Sequence, residues 1–243
     1  MKKADYNNIA KYYDTVIGAG FETEELLEMI KRKYFRKNDL NSILELGCGT
    51  GENLKVFGKN YDLTGIDISS EMIRIAKKKL LNADLRVKDI REYEFSRKFD
   101  LILCLYDTIN HITLFSDWKK IFENTSGHLN PNGLFVFDIN TLFKLEYFST
   151  ISPIVHEFGK NYLIISINKI SSNTFNWNLK IFEKTKLNNY KLTEANIKES
   201  SFNVMRIKTE LEKYFNVFKI EDDSGKKVKE NSGRVFFYCG KKL

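Results

Sequence analysis

Ser42-Ile-Leu-Glu-Leu-Gly-Cys-Gly-Thr-Gly51 is the stretch that decides the fold of this 243-residue chain. A short apolar run, Ile43 to Leu46, carries an acid at Glu45 and enters three glycines at alternate positions, Gly47, Gly49 and Gly51. Glu52-Asn-Leu-Lys-Val-Phe57 then reads as helix. Glycines at that density turn the backbone sharply and let a ligand lie against it, because no Cβ intervenes. The dinucleotide fingerprint wants its third glycine one residue later, where Glu52 stands. A strand, a glycine turn and a helix with an acid inside the turn suit a ligand carrying positive charge better than a pyrophosphate.

Two further acids follow in order. Leu63-Thr-Gly-Ile-Asp67 reads as the next strand and ends in a carboxylate roughly 20 residues past the loop, the place from which an acid reaches ribose hydroxyls. Read alone, Asp67 would be a helix cap for a segment starting near Ser70. Leu85-Arg-Val-Lys-Asp89-Ile90 again ends an apolar run in an acid, which could accept a hydrogen bond from an adenine amine. Together the three acids point to S-adenosylmethionine (SAM), whose ammonium and sulfonium groups supply the positive charge.

Runs of strand length occur at 43–46, 63–66, 84–88, 99–106, 133–139, 216–221 and 234–240. They are continuously apolar, as strands buried on both faces of a parallel sheet are. Between them lie helical stripes: 26, 27, 30 and 34 within Glu22 to Lys37; Met72, Ile75, Ala76 and Leu80; Trp118, Phe122, Thr125 and Leu129; Ile207, Leu211, Tyr214 and Phe215. The alternation predicts an α/β, doubly wound sheet with its ligand at the carboxyl ends of the strands. From Ser152 to Ser200 the pattern alternates with period two, through Tyr162, Ile164, Ser166 and Asn168 and then Phe175, Trp177, Leu179 and Ile181. That predicts a small antiparallel β insertion over 151–200, a lid on the acceptor, with 1–150 and 201–243 forming the ligand-binding domain.

The bulk properties restrict the class. No run approaches a membrane span and the N-terminus lacks a signal-peptide stretch, so the expectation is a cytoplasmic protein without membrane contact, monomer or homodimer. Three cysteines, Cys48, Cys104 and Cys239, read as buried thiols with no zinc spacing, and no metal is expected. The net charge of +7 comes from scattered lysines, which argues against a nucleic-acid partner.

At this point the chain resembles the class I SAM-dependent methyltransferases. The resemblance rests on Glu45 to Gly51, Gly65-Ile-Asp-Ile-Ser-Ser-Glu-Met72, Val87-Lys-Asp89, Phe99-Asp-Leu-Ile-Leu103 and the turn Asn130-Pro-Asn-Gly133. It implies a Rossmann-like seven-stranded sheet with the last strand antiparallel, and binding of SAM and its product S-adenosylhomocysteine. The implied cofactor contacts are Tyr13, Glu45, Gly47, Cys48, Gly49, Gly51, Asp67, Ile68, Met72, Asp89, Ile90 and Leu105. Within that group, amino-methylation of nucleobases or glutamine uses an Asn/Asp-Pro-Pro-aromatic segment after the fourth strand, which is missing here. Cytosine chemistry needs a loop cysteine, whereas Cys104 lies inside the strand.

A narrower resemblance rests on Ala4-Asp-Tyr6-Asn-Asn-Ile-Ala10 with Tyr12-Tyr-Asp14, Thr108-Ile-Asn-His111 and Ser232-Gly-Arg234-Val-Phe-Phe. These segments look like those of N,N-dimethyltransferases acting on dTDP-linked amino sugars. It implies that Tyr6 and His111 flank the acceptor as catalytic residues and that Arg234 lies near a phosphate. Asp107, Asn110 and Asn140 complete the expected acceptor site. The acceptor implied is a small polar, nucleotide-linked sugar-type metabolite methylated on a nitrogen or an oxygen; the alternatives are a nucleic-acid or protein methyltransferase and a non-catalytic SAM-binding module.

Overall fold

A computed structural model describes residues 3–17, 22–35, 40–186 and 189–242. Its centre is a seven-stranded sheet in the order β10-β11-β5-β4-β1-β2-β3. The strands are β1 (Ser42–Leu46), β2 (Asp62–Asp67), β3 (Asp84–Val87), β4 (Phe99–Cys104), β5 (Leu129–Asn140), β10 (Phe215–Asp222) and β11 (Arg234–Lys241). Strands β1 to β5 run parallel, and β11 lies antiparallel between β5 and β10. The apolar runs are continuous because successive residues serve opposite faces. Leu44, Leu46, Ile102 and Phe135 join one core, while Ile43, Leu101, Leu103 and Leu134 join the other.

Helices cover both faces: α2 (Glu22–Tyr34), α3 (Glu52–Phe57), α4 (Ser70–Lys79), α5 (Phe115–Gly127) and α7 (Val204–Leu211). Phe115, Trp118, Phe122 and Thr125 fall on one side of α5 and bury against the sheet, the spacing that makes a helix amphipathic. Burying such side chains contributes about 1.5–3 kcal/mol each. The stripes end sooner than the pattern implied, since Leu129 begins β5 and Phe215 begins β10. Asn130 to Gly133 is a bulge within β5 rather than a turn before it: Phe99 pairs with Leu129 but Leu101 pairs with Leu134, so the extra residues loop out.

The second sheet is antiparallel, β6-β7-β8-β9, made of β6 (Ile154–Phe158), β7 (Asn161–Lys169), β8 (Thr174–Lys184) and β9 (Tyr190–Ser200). Its inward face carries Leu163 and Ile167 on β7, the opposite set from the Tyr162–Asn168 series, because these residues pair with Ile181 and Trp177 of the inward series on β8. Two helices appear that period-based reading passed over, α1 (Lys3–Tyr12) and α6 (Leu142–Ile151). Ile9 and Tyr12 of α1 pack with Leu163, Leu179, Ile181, Ala195 and Ile197. On its other side Asn7 Oδ1 accepts from Ser69 Oγ at 2.6 Å and Glu71 N at 3.2 Å. The first helix therefore bridges the inserted sheet and α4. No described helix is long and apolar enough to cross a membrane.

Gly65 on β2 shows how tightly the layers meet. A Cβ there would lie 2.8 Å from Cys48 Sγ and 2.9 Å from both Leu54 Cδ1 and Leu85 Cδ2. Overpacking of this kind costs about 1–3 kcal/mol. Gly65→Val should lower the urea midpoint accordingly, and an unchanged midpoint would contradict the packing described.

Candidate active site

The carboxyl ends of β1, β2, β3 and β4 deliver their loops to one edge, where the strand order reverses between β1 and β4. Gly47 and Gly49 take φ of +73° and +52°, the left-handed region that glycine enters without penalty. A Cβ on Gly49 would meet only the Tyr13 ring at 3.9 Å, so the backbone is bare there, whereas a Cβ on Gly47 would run into the Thr108 side chain. Gly51 does a different job from the one expected. At φ +84° it starts α3 and faces Leu80 and Ala76, outside the cavity.

Asp67 holds this turn from below. Its Oδ2 accepts from Gly49 N at 3.0 Å and its Oδ1 from Ser69 N at 2.8 Å. Each oxygen keeps a second lone pair for a ligand hydroxyl. Burial pushes its pKa up to about 6, against those amide bonds. Asp89 is gripped by Arg91, whose Nη2 lies 2.6 Å from Oδ2, and it lines the same cavity as Asp67 with Ile68, Met72, Ile90 and Tyr13. An adjoining space is walled by Cys48, Leu105, Asn53 and Tyr13.

Glu45 stands behind the loop rather than in the cavity. It is 1% exposed, accepts from Asn53 Nδ2 at 2.5 Å, and its Oε2 has no partner among the described residues. Burial pushes its pKa up to about 8.

At the end of β4 the backbone is forced. Tyr106 and Asp107 both adopt left-handed φ, +55° and +51°, which costs non-glycine residues about 1–3 kcal/mol each. Asp138 Oδ2 receives Asp107 N at 3.1 Å, and Arg234 reaches Asp138 Oδ2 and Asp107 Oδ1 at 2.8 Å each. That grip corrects the expectation for Arg234. Its fork is engaged by two carboxylates, so it is not a bare cation awaiting phosphate. Asn110 is also a strut rather than a substrate contact. Fully buried, it donates to the carbonyls of Asn140 and Ser200 at 2.9 Å and accepts from Asn140 N at 3.0 Å.

The turn Thr108–His111 that Asn110 anchors carries His111 against α1. His111 Nε2 and the Tyr6 hydroxyl are 2.9 Å apart. Burial holds the imidazole below its ordinary pKa, opposed by the Asp107 carboxylate and the Lys198 carbonyl, so the ring is neutral near pH 7. Tyr13 lies in the five-residue π-helical turn after α1, a rare geometry found at functional sites. Tyr6, Tyr13, Tyr106 and His111 line both the cavity of Asp67 and Asp89 and a second one under the inserted sheet. Asp107, Asn140 and Arg234 line that second cavity, as do Lys144, Trp177 and Glu199, which motif reading missed. The alternation Ala195, Ile197, Glu199 held the signal for the last, since an acid on an apolar strand face is out of pattern.

Residues 43–133 match the family described as a methyltransferase domain. The Saccharopolyspora spinosa dTDP-4-amino-2,3,4,6-tetradeoxy-D-glucose N,N-dimethyltransferase is 27% identical over 135 residues, 53% of either chain. The malonyl-[acyl-carrier protein] O-methyltransferase of Priestia megaterium is 32% identical over 145 residues, 56% of this chain and 50% of that one. The chain spans about half the length of the relatives it matches. Among solved structures, an S-adenosylmethionine-dependent methyltransferase from Clostridium acetobutylicum superposes with a TM-score of 0.83 at 24% identity, covering 98% of this chain and 99% of the other. Residues 43–133 are thus similar to a methyltransferase domain, and the chain has the fold of that solved methyltransferase.

Glu45 makes a pH prediction for the ligand-free protein. A carboxyl whose folded pKa is raised stabilises the fold below its unfolded pKa near 4.5, and that contribution is lost as pH rises to about 8. Asp67 and Asp138, raised only to about 6, finish titrating earlier. Stability should therefore decline between pH 6 and 8, and the decline should be shallower in Glu45→Gln. Parallel pH profiles of urea midpoints for the two proteins would refute the assignment.

Proposed function

We propose that this protein transfers a methyl group from SAM to a nitrogen of a small polar acceptor, with His111 as base and Tyr6 as its partner. The observation that carries the reading is the Tyr6–His111 contact of 2.9 Å on the partition between the two cavities. The dTDP-amino-sugar relatives support nitrogen by their names. The aromatic lining of the second cavity, drawn from the N-terminal helix, the end of β4 and the inserted sheet, supports a small molecule over a nucleic acid or protein chain.

The residues present fit SAM. The bare backbone at Gly49 admits an amino-acid end, Asp67 retains lone pairs for ribose hydroxyls, and Asp89 with Ile90 offers an adenine wall. Bound SAM would supply a methyl carbon on a positive sulfur, open to in-line attack. What remains for the chain is to orient the acceptor and to take its proton, because a protonated amine has no lone pair to attack with. The proton-accepting atom is His111 Nε2, already contacted by the Tyr6 hydroxyl, and burial keeps the ring neutral for that role.

General-base catalysis contributes about 10²–10⁴ in rate. His111→Asn should cut kcat at least a hundredfold with SAM affinity nearly unchanged, and Tyr6→Phe should cost less. Wild-type turnover by His111→Asn would reduce His111 to a structural role. Asp67→Ala should weaken SAM binding about tenfold or more by calorimetry, from loss of a charge-assisted contact of about 1.5–3 kcal/mol. Unchanged affinity would put the ligand elsewhere.

A further inference from the structure

Glu199 has no part in the chemistry derived above, yet it occupies the acceptor cavity. It is 5% exposed and follows Ala195 and Ile197 on the inward face of β9. A buried carboxylate is costly unless hydrogen bonds or a cation meet it. The hydrogen bond to Glu199 among the described residues comes from Asn140 Nδ2, long at 3.3 Å. Carboxylate oxygens of Glu199 and Asp107 and a ring nitrogen of His111 all lie within 4.8 Å of one another. Burial, reinforced by the Asp107 charge, pushes the Glu199 carboxyl well above its ordinary range.

The cavity's own cations relieve this only in part, since Lys144 and Arg234 draw the Glu199 carboxyl down but burial and Asp107 outweigh them. Arg234 is engaged by Asp107 and Asp138, and burial together with Arg234 pushes Lys144 below its ordinary pKa. Asp138, fully buried, still has Oδ1 without a partner among the described residues. The groove on the far side of Arg234 and Lys144 is acidic, lined by Glu25, Asp138, Glu221, Asp222 and Asp223. A diphosphate would meet repulsion there. Around the Glu199 cluster the walls are aromatic, with Tyr6, Tyr13, Tyr106 and Trp177 on the same cavity. Aromatic faces combined with carboxylates are the environment that selects organic ammonium ions. A divalent metal fits less well, because Asp107 Oδ1 is already held by Arg234 Nη2 at 2.8 Å.

We propose that Glu199, with Asp107, seats the ammonium of the acceptor and makes the site specific for a cationic amine that carries no phosphate. The inference rests on the amine-methyltransferase reading of the same site and names its specificity residue. An ammonium lying between the two carboxylates would let Glu199 ionise, and opposite charges attract more strongly at reduced dielectric. It would also lie beside His111, the group that must receive its proton.

The test uses the full chain saturated with S-adenosylhomocysteine and follows the two indole N–H signals in a nitrogen–proton correlation spectrum. Trp177 lines the cavity, whereas Trp118 is fully buried and donates to the Ile112 carbonyl. Cyclohexylammonium should shift the Trp177 signal and leave Trp118 still, binding about tenfold or more tighter than neutral cyclohexanol, a preference of about 1.4 kcal/mol or more. Thymidine diphosphate should give no saturable shift. Glu199→Gln should abolish the preference for the cation while S-adenosylhomocysteine affinity, measured by calorimetry, stays within about twofold, a change of under 0.5 kcal/mol. Equal binding of cyclohexanol, a retained preference in Glu199→Gln, saturable binding of thymidine diphosphate, or displacement of the amine by micromolar Mn²⁺ would each overturn the proposal. The wild-type comparison of cation with isostere holds even if the variant folds poorly. Failure of S-adenosylhomocysteine to bind would strike the methyltransferase reading itself rather than Glu199.

Discussion

Arg234 is the fixture on which the site depends. One guanidinium at the start of β11 bonds Asp138 near the end of β5 and Asp107 just beyond β4, so three strand ends are locked in one register. Burial works against its charge, but the two carboxylates outweigh that effect and hold its pKa above the ordinary value. Removing one partner from such a buried set leaves an uncompensated charge and typically costs 3–5 kcal/mol, of order the whole margin of a small domain. The same bonds stabilise the left-handed pair Tyr106–Asp107, and from that forced turn the Thr108–His111 segment takes its direction.

A second constraint comes from the N-terminal helix. It touches the inserted sheet through Ile9 and Tyr12 and the N-terminal end of α4 through Asn7, so it bridges the two sheets. Lys11 and Tyr12 both reach Glu183 at 2.8 Å and tie the helix to β8. Placing Tyr6 opposite His111 follows from this bridging. The aromatic partition is thus assembled from three separate places in the chain: the first helix, the π-helical turn and the end of β4. Each piece sits on an element secured elsewhere, so a side chain at the partition is positioned by packing well away from it.

The parallel sheet was legible because its inner strands are buried on both faces and therefore read as nearly unbroken apolar runs, whereas β3 at the edge leaves Arg86 and Val87 exposed. The acids Asp67 and Asp89 were legible for a related reason: only the carboxyl end of a strand combines an apolar approach with an exposed polar tip. Glu45 and Gly51 looked like ligand contacts by position, yet one lies behind the loop and the other starts a helix. Spacing in a motif specifies backbone geometry better than it specifies which side chain faces the ligand. Asn110 and Arg234 show the same limit, since buried partners on distant strands turned one into a strut and neutralised the other.

The sequence by itself determined the class of fold and the glycine turn, because those depend on local periodicity and on residues within one strand–turn–helix unit. It also marked His111 and Tyr6. The tertiary structure alone decided the second cavity. Glu199, Asp107, Asp138 and Arg234 are separated by long stretches of chain, and their charges acquire meaning only when burial removes water and brings Asp107 close to Glu199 and Arg234 close to both Asp107 and Asp138. Electrostatics at reduced dielectric is a property of the assembled cavity, and no linear pattern encodes it.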